Sequence, residues 1–256
     1  MLDRLADVLE LPTLSPAMAV AVVVALLIAA IVRGYSGFGF SMLAVSGLTL
    51  ALPPTVAIPI VLTLEVAASI HMLPGVWRQV DWRSLWPLVA GTAVATPIGV
   101  HLLVNLPETP IRLAIAALVI TATMLLWRGF ALQRMPNTAA TLATGAAAGL
   151  LNGSLGIGGP PVILFYLSSP AGTATARASL IAYFLVTDAY AIAVGALEGL
   201  ASAGTFLAAA GLLPILLIGI AIGSRGFIRT EPATFRKAVL VLLVLLSAAG
   251  VVRALA

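Results

Sequence analysis

Asn152-Gly153-Ser154-Leu155-Gly156-Ile157-Gly158-Gly159, followed at once by Pro160-Pro161, interrupts a long apolar stretch, and Arg33-Gly34-Tyr35-Ser36-Gly37-Phe38-Gly39-Phe40 does the same in the first half of the chain. Glycine is a poor helix former, but without a Cβ it lets backbone amides come close to a ligand. In hydrocarbon, irregular backbone survives only where it is buried in protein or lines a cavity. If the surrounding stretches lie in a membrane, the two strings are helix breaks around something polar.

Composition places them there. The chain is 61% hydrophobic and 9% charged, with a mean hydropathy of +1.15, far from soluble averages. No Asp, Glu, Lys, Arg or His lies between Glu10 and Arg33, between Arg134 and Arg177, or between Glu198 and Arg225. A bilayer core of roughly 30 Å takes about 20 apolar residues per helix, so each gap holds one or more spans. The absence of cysteine excludes disulfides, thiolate metal sites and cysteine catalysis. The net charge of +4 comes from basic residues scattered in short loops, which form no patch for nucleic acid.

Turn signals divide the chain into ten segments. The first half offers 17–33, 38–52, 55–76, 84–104 and 110–128; the second offers 139–152, 159–169, 174–198, 203–224 and 233–254. Between them fall Pro53-Pro54, Pro74-Gly75, Pro107, Pro110, Pro136-Asn137, Pro170, Gly172 and Pro232. The second segment of each half is short, so the first two are expected to be half-helices or a re-entrant hairpin about the glycine string. Residues 1–16, with Asp3, Arg4, Asp7 and Glu10, are too acidic for a signal peptide and read as a lead-in. Repeat 1 is assigned to 17–130 and repeat 2 to 139–256.

The duplication rests on several positions. Gly34, Gly37 and Gly39 match Gly153, Gly156 and Gly158 at one offset, 119; further on, Glu65 falls opposite Asp188, Gly99 opposite Gly223 and Arg112 opposite Arg236. Five segments per half is an odd number, so the halves must cross the membrane in opposite senses. The fold expected is all-α and polytopic, with 8 to 10 membrane segments in two inverted repeats. With that parity, Arg33, Arg78, Arg83, Arg128, Arg134, Arg177, Arg225, Arg229, Arg236 and Lys237 share one face, and Arg4, Arg112 and Arg253 the other. The positive-inside rule makes the first face cytoplasmic. Trp77, Trp82 and Trp86 read as an interfacial belt.

Glu65 and Asp188 are the two acids deep inside apolar segments. A carboxylate at mid-bilayer is costly, so such groups are neutral, paired or facing a wet cavity. They are candidates for proton coupling, against the plainer role of tying helices together. His71, two turns beyond Glu65, is a possible relay, although an interfacial histidine is the commoner case. His101 reads the same plain way. The histidines form no metal-ligand spacing.

For a ligand, the glycine strings offer free N–H groups at helix N-termini, the hydroxyls of Ser36, Ser41 and Ser154, and the amide of Asn152. A donor-rich, uncharged pocket of this kind suits a small anion. Gly34, Gly37, Gly39, Asn152, Gly153, Ser154, Gly156, Gly158 and Gly159 are its candidate residues, with Ser36 and Ser41; close helix packing is the competing explanation for the glycines. Arg33 and Arg177 adjoin the strings and are placed either to attract the anion or to mark the membrane boundary.

Gly34-Tyr35-Ser36-Gly37-Phe38-Gly39, followed by Pro53 and the acid-bearing helix, and Gly149-Leu150-Leu151-Asn152-Gly153-Ser154-Leu155-Gly156-Ile157-Gly158-Gly159-Pro160-Pro161 together resemble the sulfite exporter TauE/SafE family. The resemblance runs from about residue 19 to 252 and implies an inner-membrane permease for sulfite or organosulfonates. The first string departs from the second in having Phe40 in place of Gly159 and no double proline. The expectation is a multi-pass secondary transporter of the bacterial inner membrane, an exporter or a proton-coupled permease, carrying a small sulfur-containing anion such as sulfite or an organosulfonate by alternating access. An anion channel is the alternative. No Walker loop and no convergent nucleophile, base or metal set points to ATP use, a cofactor or an enzyme.

Overall fold

The computed structural model describes residues 16–128, 136–167 and 172–226. The lead-in up to residue 15, the tenth expected segment at 233–254, and Arg4, Arg134, Arg229, Arg236, Lys237 and Arg253 lie outside the described residues. Those described form nine α-helices: α1 (Pro16–Ser36), α2 (Phe40–Leu48), α3 (Pro54–Met72), α4 (Trp82–Asn105), α5 (Glu108–Trp127), α6 (Thr138–Leu155), α7 (Gly159–Leu167), α8 (Gly172–Leu197) and α9 (Ala203–Gly226). Among the described residues, six stretches are long and apolar enough to cross a membrane: Met18–Ser36, Pro54–Gly75, Trp82–Asn105, Glu108–Leu125, Ala174–Leu197 and Ala203–Arg225. At nine residues each, α2 and α7 reach only about 13 Å, less than half of a bilayer core.

Polarity is distributed as lipid requires. Outward-facing side chains include Val94, Ile98, Leu197 and Ile218, whereas Arg33, Glu65, Asn152, Thr92, Thr96 and Asp188 are buried. An apolar exterior of this extent would drive aggregation in water; against acyl chains it has no such cost. The chain is a multi-pass membrane protein.

Each helix break falls later in its glycine string than the string's first glycine. Helix α1 continues through Arg33 and Gly34 to Ser36, and α6 through Asn152 and Gly153 to Leu155. The turn is made at Gly37 and Gly39, with φ of 79° and 85°, and at Gly156, with φ of 66°. These left-handed conformations are open to glycine and penalised for other residues. The Gly156 N–H closes α6 on the Asn152 carbonyl at 2.9 Å, the αL cap expected of a terminal glycine.

Gly34 and Gly153 are instead packing glycines. Helix α1 lies along α9, and α4 along α6. A Cβ at Gly34 would strike the Ile220 carbonyl, and one at Gly153 the Thr96 carbonyl. In the reverse direction, a Cβ at Gly223 would lie 2.9 Å from Tyr35 N, and one at Gly99 would lie 2.9 Å from Ser154 N. The two contacts correspond residue for residue: Gly153 lies 119 positions after Gly34 and Ser154 the same distance after Tyr35, while Ile220 lies 124 after Thr96 and Gly223 the same distance after Gly99. Helices α3 and α8, which carry Glu65 and Asp188, pack against one another.

Candidate functional site

Arg33 is in the last turn of α1, and its side chain is 0% exposed. Its Nη1–H donates to Glu65 Oε1 at 2.6 Å and to the Gly37 carbonyl at 2.8 Å. Nη2–H donates to Ser69 Oγ at 2.7 Å. The guanidinium also lies over the Phe184 ring, 5.0 Å from its centroid, a cation–π contact that gains strength where water is excluded. Glu65 and Ser69 are one turn apart on α3, so both point at the same guanidinium. A buried charge of either sign is tolerated only with this degree of pairing.

The other carboxylate oxygen, Glu65 Oε2, accepts from Ser41 Oγ at 2.9 Å. Ser41 is the second residue of α2, whose preceding Gly39 has no capping side chain of its own. Glu65 thus supplies negative charge at the N-terminus of α2, where unpaired amides and the helix dipole favour it. The donors that the first glycine string offers at this helix start are thus taken up by a carboxylate of the chain itself.

The second string builds a related pair with different chemistry. Asn152, 119 positions after Arg33, donates from Nδ2 to Asp188 Oδ1 at 2.8 Å. Its Oδ1 accepts from the Gly158 N–H at 3.3 Å, so one side chain ties the glycine turn to α8. Asp188 is 1% exposed, and its Oδ2 is buried without a hydrogen-bond partner. Phe184 and Asp188 are one turn apart on a single face of α8, which sets the Asn152–Asp188 pair beside the Arg33–Glu65 one.

The remaining candidates divide by use. Ser36 Oγ lies 2.8 and 2.7 Å from the Val32 and Phe38 carbonyls, and Ser154 Oγ–H donates to the Leu150 carbonyl at 2.6 Å; both hydroxyls serve their own turns. Arg177, from α8, donates to the Gly34 carbonyl at 3.0 Å, and a Cβ at Gly37 would meet its Cγ at 2.5 Å. The first glycine turn is therefore covered by a cation of the second half. Gly156 faces Ile58 and Val45, so the second turn is seated on α2 and α3. Gly159 faces Phe184, the ring beneath Arg33. His71 stands on the exposed end of α3, away from the buried pairs.

Sequence reasoning did not find three further parts of the site. Ser69 and Phe184 give no signal beyond a hydroxyl and a ring among apolar residues. The third is a polar seam in which Thr92 Oγ1 lies 2.6 Å from the Tyr183 hydroxyl and donates to the Gly145 carbonyl at 2.9 Å. A crevice lined by Ile58, Leu62, Val100, Gly153, Ala191 and Ile192 runs between α3, α4, α6 and α8 beside the second string.

The family model described as Sulfite exporter TauE/SafE matches residues 21–250. A curated relative from Cupriavidus necator, named "Probable sulfite/organosulfonate exporter TauE", is 29% identical over 212 residues, covering 79% of this chain and 81% of its own. No solved structure matches the chain.

Proposed function

The chain belongs to the sulfite exporter TauE/SafE family and is a membrane transporter; on that premise we propose that it carries sulfite or a small organosulfonate across the bacterial inner membrane by proton-coupled alternating access. The observation that carries this reading is the juxtaposition of two buried pairs, Arg33–Glu65 and Asn152–Asp188, each at a glycine break. A positive group, a helix N-terminus and a protonatable carboxyl within the bilayer are the parts an anion carrier coupled to protons requires. Substrate would sit between the two strings, at the donors of Arg33, Ser41, Asn152 and the turn amides, with Glu65 and Asp188 as the coupling carboxyls. His71 and Arg177 would act at the cytoplasmic approach.

The halves would be inverted repeats. The matched glycine contacts support this: each half's first helix packs on the other half's fourth, through residues at constant offsets. Such a cross-brace lets the halves rock about α3 and α8 while each first helix moves with its partner. A carrier is favoured over a channel because, among the described residues, Arg33 is already engaged by Glu65 and lies over Phe184, so an anion could reach it only after rearrangement.

The test is uptake of labelled sulfite and sulfoacetate into proteoliposomes, with and without an imposed pH gradient. Accumulation above equilibrium under the gradient is expected. Flux that only dissipates a concentration difference would identify a channel. Unchanged gradient-driven uptake in both Glu65→Gln and Asp188→Asn would remove the coupling assignment.

A further inference from the structure

We propose that Glu65 occupies the seat of the transported anion in this conformation, so that its carboxylate is a resident stand-in which substrate must displace from Arg33 and the N-terminus of α2. This rests on the anion-carrier reading above and assigns the site within it. Three observations converge. Among the described residues, Arg33 is the one cation fully buried in the interior, and an anion in the bilayer interior needs an opposite charge or a dense set of donors. Glu65 divides its two oxygens between donors from different helices, Oε1 to Arg33 on α1 and Oε2 to Ser41 on α2, which is how a bridging ligand sits. Arg33 Nε is buried without a hydrogen-bond partner, so the guanidinium has a donor that this carboxylate does not use.

The ligand class follows from the seat. Two donors approach two oxygens on one atom, so the fitting ligand is a small oxyanion, a sulfite, sulfonate or carboxylate, in preference to a monatomic halide. Sulfite and sulfonates have a third oxygen, and Arg33 Nε is a donor available to it. Charge also fixes a stoichiometry. Two anions on one buried guanidinium would leave a net negative charge, so binding of a monoanion requires a proton on the displaced Glu65. The loaded site then has the same net charge as the resting one. Asp188, opposite Asn152 with no cation of its own, offers no such seat for the anion.

The experiment is equilibrium binding of labelled sulfite to the purified full chain in lipid nanodiscs at fixed pH, with chloride as competitor. With the stand-in charge removed, Glu65→Gln is expected to bind sulfite at least about tenfold more tightly than wild type, and Glu65→Gln with Arg33→Gln to lose that gain. Equal or weaker binding by Glu65→Gln, with wild type binding measurably, overturns the stand-in role and leaves the carrier reading intact. Retention of tight binding in the double variant overturns it also, because the anion is then not on Arg33. Absence of binding by both wild type and Glu65→Gln overturns both. If Glu65→Gln does not fold, Glu65→Asp, one methylene shorter and unable to span both donors, replaces it: severalfold tighter binding is expected, and unchanged affinity refutes the proposal.

Discussion

Asp188 and Arg33 are both buried polar residues, and their surroundings predict opposite responses to substitution. Asp188 uses one oxygen, accepting from Asn152, and leaves the other unpartnered. Asparagine keeps that acceptor and adds an amide where no bond is lost, so Asp188→Asn should change stability by less than about 1 kcal/mol while abolishing stimulation of uptake by a pH gradient. Thermal unfolding in detergent and proteoliposome flux measure the two effects separately; parallel loss of both would make Asp188 a structural strut. Arg33 is bonded to Glu65, Gly37 and Ser69. Arg33→Met leaves a carboxylate buried without its cation, a defect of about 3–5 kcal/mol, and should fail to yield folded protein. Adding Glu65→Gln to Arg33→Met should restore much of the yield, because no buried charge is then left unpaired.

Among the elements, the glycines of α4, α6 and α9 separate packing from flexibility. At Gly99 a Cβ would press on the backbone of α6, at Leu150 and Ser154, and backbone cannot rotate away. Gly99→Ala should therefore destabilise by roughly 1–3 kcal/mol, as overpacking does. Gly211 is also helical, but a Cβ there meets nothing within 4 Å. Gly211→Ala should be neutral or stabilising by about 0.5–1 kcal/mol, the helix-propensity gain alone. Melting temperatures of the two variants give the comparison; a stabilised Gly99→Ala would refute the tight α4–α6 contact. Within the described residues the helices and their breaks were legible because length, Gly and Pro are local signals: the nine expected segments that fall there coincide with helices, six of them long and apolar enough to span. The packing role of Gly34 and Gly153 was not, since the string says only that backbone comes close to something. Nor was Arg33's burial, because a cation at the end of an apolar run ordinarily marks the membrane surface, and its partner lies 32 residues further along the chain.

For the whole molecule, helix direction makes a topological prediction that does not depend on substrate. Following the six apolar stretches in order, the loops at 49–53, 106–107 and 198–202 fall on one side and those at 73–81 and 136–137, with the end of α9, on the other. The second side bears Arg78, Arg83, Arg128 and Arg225, and the exposed Trp77, Trp82 and Trp86; the first bears Arg112, paired with Glu108 at 2.9 Å. Arg33, neutralised in the interior, drops out of the orienting charge, but the asymmetry remains and the positive-inside rule still makes the second side cytoplasmic. The chain has no cysteine, so single cysteines can report this without removing native ones. Ser202→Cys should react with a membrane-impermeant maleimide in spheroplasts, and Gln79→Cys only after permeabilisation. Neither residue belongs to the buried pairs, so transport should be retained in both. Labelling of both positions from one side would break the alternation of α3, α4, α8 and α9, and with it the opposed halves that the proposed anion site requires.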